Sequence, residues 1–116
     1  MALAGGYDIV ADQGATYSQV FTWKDSNGDP VSLVGWTGRM QVRSRVPSAT
    51  TVLDLTTATG GVPLGGAAGT VTISVSAADM ADVDAGVYTY DIELVNGSTV
   101  ERLVMGTFTV RGEVTR

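Results

Sequence analysis

Alternation with a period of two is what most constrains this chain. Between Trp36 and Arg43, Trp36, Gly38, Met40 and Val42 share one parity, while Thr37, Arg39, Gln41 and Arg43 share the other. That period fits a strand with one face in a core and the other in water, and no window sustains a helical period. The same pattern recurs at Tyr7–Ala11, Thr16–Lys24, Thr51–Leu55, Gly69–Ser76, Val87–Val95 and Thr99–Arg111. Its inward sets include Tyr17, Phe21 and Trp23; Val71, Ile73 and Val75; Tyr88, Tyr90, Ile92 and Leu94; and Val104, Phe108 and Val110.

Turn residues mark the intervals. Asp25-Ser26-Asn27-Gly28-Asp29-Pro30 predicts a turn leading into a short edge strand around Val31 to Leu33, since Asn-Gly tolerates positive φ and Pro30 cannot donate to a ladder. Pro47-Ser48-Ala49 is a break, and Gly60 to Gly66 reads as a loop holding at most a short strand. Asn96-Gly97-Ser98 reads as a tight hairpin. The one helix signal is Ser76, a capping residue, with Asp79 three positions on, which predicts a single helical turn over 77–82. The expectation is an all-β fold, an antiparallel β-sandwich of seven to eight strands. It forms one domain over 7–116 after a short flexible arm at 1–6, with no repeat, linker or second domain.

Composition narrows the function. At 116 residues the chain is long enough to bury a core without a staple. It has no cysteine, and so no disulfide, thiol nucleophile or thiolate metal site. It has no histidine, and so no imidazole base for Ser-His-Asp or Cys-His catalysis. A net charge of −5 argues against a phosphate-tracking surface, and a nucleic-acid partner is not expected. No apolar run reaches the roughly 20 residues that cross a bilayer as a helix, and the start Met1-Ala2-Leu3-Ala4-Gly5-Gly6 lacks the basic and apolar regions of a secretory signal. Charged residues make up 16% of the chain, below the ~25% of an ordinary soluble domain. Two readings of that shortfall stand side by side: solvent faces covered by Thr and Ser, or a subunit whose surface is covered by neighbours.

Asp84-Ala85-Gly86-Val87-Tyr88-Thr89-Tyr90 resembles the Asp-x-Gly-x-Tyr-x-Cys signature of immunoglobulin-like domains. The resemblance implies a structural corner at Asp84, Gly86 and Tyr88, with the Tyr88 hydroxyl tying down the preceding chain. Tyr90 stands where the family carries a cysteine, so the core would hold by packing alone. Trp36 lies early in the strand that in the family bears the core tryptophan. A second resemblance spans most of the chain. Gln13-Gly14-Ala15-Thr16, Phe21-Thr22-Trp23-Lys24-Asp25, Gly35 to Arg43, Tyr90 to Leu94, Gly106 to Val110 and Glu113 to Arg116 are similar in layout to the N-terminal immunoglobulin-like module of upper baseplate proteins of tailed bacteriophages. This implies a non-enzymatic virion protein of the tail, baseplate or neck, assembled in the host cytoplasm, with other virion proteins and copies of itself as partners. Head decoration, or binding of a host-surface carbohydrate or protein, are the alternative roles. No cofactor, metal or small-molecule substrate is expected.

Candidate sites are therefore surfaces. Arg39, Gln41 and Arg43, extended by Arg45, form a polar stripe, and Asp91 and Glu93 form an acidic one. In an immunoglobulin-like sandwich their strands would be antiparallel neighbours and the stripes would pair with each other; the alternative is an arginine-rich face that docks an acidic partner. Leu103 and Met105 face outward by parity as a contact patch, unless a bulge near Gly106 turns them into the core. Leu3 in the arm is a further candidate contact. Asp25-x-Asn27-x-Asp29 spaces oxygen ligands as calcium loops do but lacks the distal glutamate, and turn chemistry accounts for it. Asp79, Asp82 and Asp84 read as cap and corner residues rather than a second oxygen cluster. Asn96-Gly97-Ser98 matches a glycosylation acceptor that hairpin chemistry also explains.

Overall fold

The computed structural model describes residues 5–44 and 51–112. Eight strands form two sheets: β1 (Gly5–Gly6), β2 (Ile9–Asp12), β3 (Tyr17–Thr22), β4 (Thr37–Arg43), β5 (Thr51–Thr56), β6 (Thr70–Val75), β7 (Gly86–Asn96) and β8 (Thr99–Arg111). The large sheet has the order β1-β8-β7-β4-β5 with β2 also on β8, and β3-β6 make the second sheet. The fold is an all-β sandwich, as the alternation predicts. The expected helical turn is α1 (Ala77–Ala81), where the Ser76 side chain accepts from the Asp79 amide at 3.1 Å.

Inward parity becomes burial with few exceptions. Met40, Val42, Val71, Ile73, Ile92, Leu94 and Phe108 are fully buried, and no buried polar or charged residue occurs among the described residues. Each such side chain contributes roughly 1.5–3 kcal/mol by leaving water. Four edge-on ring contacts knit the aromatic part, among them Trp23 on Trp36 at 5.4 Å and Tyr90 on Phe108 at 6.4 Å. With no cysteine in the chain, packing alone holds this core together.

The hairpin between β7 and β8 pairs Asn96 with Thr99, leaving Gly97 and Ser98 as the turn. Gly97 has φ 59° while Ser98 does not have positive φ, which is the pattern of a type II′ turn.

Three expectations need correction. The large sheet is mixed, because β1 and β2 run parallel to β8, pairing Gly5 with Val104 and Ile9 with Phe108. Gly5 and Gly6, expected within the arm, already belong to that ladder. Between them and β2 the chain keeps register through Tyr7 and Asp8: the Tyr7 amide donates to Met105 O at 3.0 Å, and Asp8 Oδ1 accepts from the Thr107 amide and hydroxyl. Gly106 makes room there, since a Cβ on it would run into the Tyr7 carbonyl oxygen. Lastly, Val31–Leu33 is not a strand. Its amides go to two different places, Val31 N to Trp23 O and Leu33 N to Gly66 O, and only an isolated bridge, Lys24 with Pro30, remains of the expected edge.

Candidate functional site

Outward parity on the large sheet assembles one continuous face, and the register sets its rows. Val10, Thr109 and Val87 lie side by side across β2, β8 and β7. Next come Thr107, Thr89 and Arg43, then Met105, Asp91, Gln41 and Asp54. Arg102, Glu93, Arg39 and Thr56 form the following row, and Val100, Val95 and Thr37 close the face. Charge thus sits in the middle, with apolar side chains towards both ends.

The two sequence stripes do pair. Arg39 opposes Glu93 in register, and its Nη2 and Nε lie 2.8 and 2.9 Å from Glu93 Oε1. Arg43 Nη2 donates to Gln41 Oε1 at 2.8 Å. The sequence reading missed Arg102, which bridges both acids: its Nε is 3.4 Å from Asp91 Oδ2 and its Nη2 3.7 Å from Glu93 Oε2. Burial, together with the neighbouring Glu93, raises the Asp91 pKa above the usual carboxylate value in spite of Arg102, Arg39 and Arg43. Gln41, Arg43, Asp91, Glu93 and Arg102 line a shallow depression of about 270 Å³ that also touches Thr89, Tyr90 and Met105.

Arg102 comes onto this face because β8 carries a bulge. The register steps from Ile92–Val104 to Glu93–Arg102, so Leu103 is the extra residue. Leu103 is consequently 8% exposed and belongs to the core, which corrects the expectation of an outward Leu103 beside Met105. The bulge lies at Leu103 rather than near Gly106. Met105 does face out, at 46% exposure. The sequence signal was present in Leu103-Val104, two successive apolar residues that break the alternation.

Val10 and Val87 were also overlooked, at 57% and 66% exposure. Leu3 and Arg45 lie outside the described residues.

Away from this face, the Tyr88 hydroxyl donates to Asp84 O at 2.6 Å, which is a tyrosine corner. Gly86 opens β7 beside the Tyr88 ring. Tyr90 makes a second tie of the same kind over a much longer span, donating to Tyr7 O at 2.5 Å. Burial pushes its phenol pKa up, and that of Tyr17 up to about 12, so both keep their hydroxyl proton through the ordinary pH range. Asp25 Oδ1 is taken by the amides of Asn27 and Asp29, a local turn. Among the described residues no group of three or more acidic side chains is arranged to hold a metal ion. No protein-family model matches the chain, and no curated protein does.

Proposed function

We propose that the chain is a structural subunit of a bacteriophage virion, in the tail, baseplate or neck. It would be an immunoglobulin-like module that acts by docking to other virion proteins and to itself rather than by catalysis. One observation carries the docking role. On the outer face of the large sheet the charged groups answer one another, while Val87, Val10, Val100 and Met105 stay 66%, 57%, 47% and 46% exposed. A face that has neutralised its own charge and keeps its apolar side chains uncovered suits contact with another surface. The immunoglobulin-like reading is supported by strand order. β4, β7 and β8 correspond to C, F and G, extended by β5 as C′, with β3 and β6 opposite as B and E. The corner at Tyr88 adds to it. The virion setting comes from the sequence resemblance.

The test is mass spectrometry of particles purified from lysates that express the chain, with heads and tails separated. The chain is expected in the tail fraction, and the double variant Val87→Asp with Met105→Asp should fold yet be missing from particles. Presence with heads alone would favour decoration. Absence from every particle would overturn the virion reading.

A further inference from the structure

Among the described residues, β3 has one edge that no other strand occupies. Trp23 N donates to Gly69 O at 2.8 Å, so 23 and 69 form a hydrogen-bonded pair. By the two-residue period of an antiparallel ladder, Phe21–Val71, Gln19–Ile73 and Tyr17–Val75 are hydrogen-bonded pairs too. Ser18, Val20 and Thr22 therefore turn their amides and carbonyls away from β6. The far side of β6 obeys the same parity: Thr72 N donates to Pro63 O and Ser74 N to Gly61 O. Among the described residues no hydrogen bond reaches the backbone of Ser18, Val20 or Thr22 on the open side.

Proteins usually blunt such edges with charge, proline or a bulge. The β2 edge carries Asp12 within the strand and Asp8 just before it, and β5 carries the exposed Asp54. β3, Tyr-Ser-Gln-Val-Phe-Thr, has no charge, proline or bulge. Its outer face, Ser18, Val20 and Thr22 with Thr70, Thr72 and Ser74 of β6, is uncharged as well, and Val20 is 54% exposed. In a chain of net charge −5, this is the edge at which a second copy meets no charge of its own sign.

We propose that β3 pairs with β3 of a second copy, antiparallel about a two-fold axis through Val20. The register follows from parity. If both cores lie on the same side of the joined sheet, opposed residues must both point outward. Val20 then faces the partner's Val20, and Ser18 faces the partner's Thr22. In that register every open amide and carbonyl of Ser18, Val20 and Thr22 finds a partner. An axis through Gln19 would leave Thr22 to pair beyond the strand, and one through Phe21 would do the same to Ser18. This homodimer concerns the purified chain in solution and does not rest on the virion reading.

The chain has no cysteine, so one introduced thiol is an unambiguous probe. At the axis the Cα atoms of two paired residues lie about 5.5 Å apart, within disulfide reach. Two copies of residue 18 would lie about 13 Å apart along the ladder, beyond it. Sedimentation of the full chain across a concentration series should give a monomer–dimer equilibrium. Val20→Cys should cross-link under mild oxidation at least about tenfold faster than Ser18→Cys, given that difference in reach. Val20→Lys, which sets two ammonium groups against each other, should weaken the dimer by at least about tenfold with an unchanged circular-dichroism spectrum. A chain that stays monomeric throughout, Ser18→Cys cross-linking as fast as Val20→Cys, or a Val20→Lys variant that dimerises as the parent does would each overturn the proposal.

Discussion

The two sheets are held by different means. The small sheet packs Val71, Ile73 and Val75 onto the core and carries no charged residue in either strand. The large sheet adds directed polar ties: Tyr90 to Tyr7, Asp8 to Thr107, Arg111 to Asp12 and the Arg39–Glu93–Arg102–Asp91 cluster. Apolar burial depends little on salt or on protonation, whereas the polar ties depend on direction, ionisation and ionic strength. The lesson is a division of labour. The small sheet supplies core, and the large sheet uses polar contacts to fix which strand lies where.

That contrast makes ordered predictions. Ile73→Ala, in the small sheet, should cost about 2–5 kcal/mol in chemical denaturation, with the same loss at low and high salt. A strong salt dependence would break the distinction. Tyr90→Phe, which removes the long-range tie, should cost about 1–3 kcal/mol. Tyr88→Phe should cost about 1 kcal/mol, because its bond closes only a local corner. Hydrogen exchange would sharpen the pair: Tyr90→Phe should speed exchange along 5–12, and Tyr88→Phe should leave that segment unchanged.

Arg39→Ala should cost only about 0.2–1 kcal/mol and less as salt rises, since the pair is partly exposed. Asp91→Asn tests ionisation. The Asp91 pKa is raised above the ordinary 3.8 by burial, so the folded state holds this proton more tightly than the unfolded state. Its contribution is present below 3.8 and is lost as pH rises through the folded value. The stability of Asp91→Asn relative to the parent should therefore increase with pH across that window, measured by denaturation at a series of pH values. A flat difference would remove the burial argument.

Much of the fold was legible because strand parity is local. The inward sets on β4, β6 and β7 follow from residue spacing alone, and the Tyr88 corner from a short motif. What escaped depends on distant parts of the chain. The N-terminal strand's partner is β8, at the other end of the sequence, and nothing near Ile9 says whether the pairing is parallel or antiparallel. Val31–Leu33 has strand-like residues, yet its amides are claimed by Trp23 and Gly66, so no single partner strand exists for it. In the candidate face, the pairing of Arg39 with Glu93 was readable from the two stripes. Arg102 was not, because one extra residue at Leu103 reverses the parity of everything before it on β8.

The parallel pairing of the first and last strands has a mechanical consequence. A pull downward at Gly5 and upward at Arg111 slides the two strands past each other, with the rungs lying across the line of force. The rungs would then share the load and yield together rather than peel one at a time, so this seam resists tension by shear.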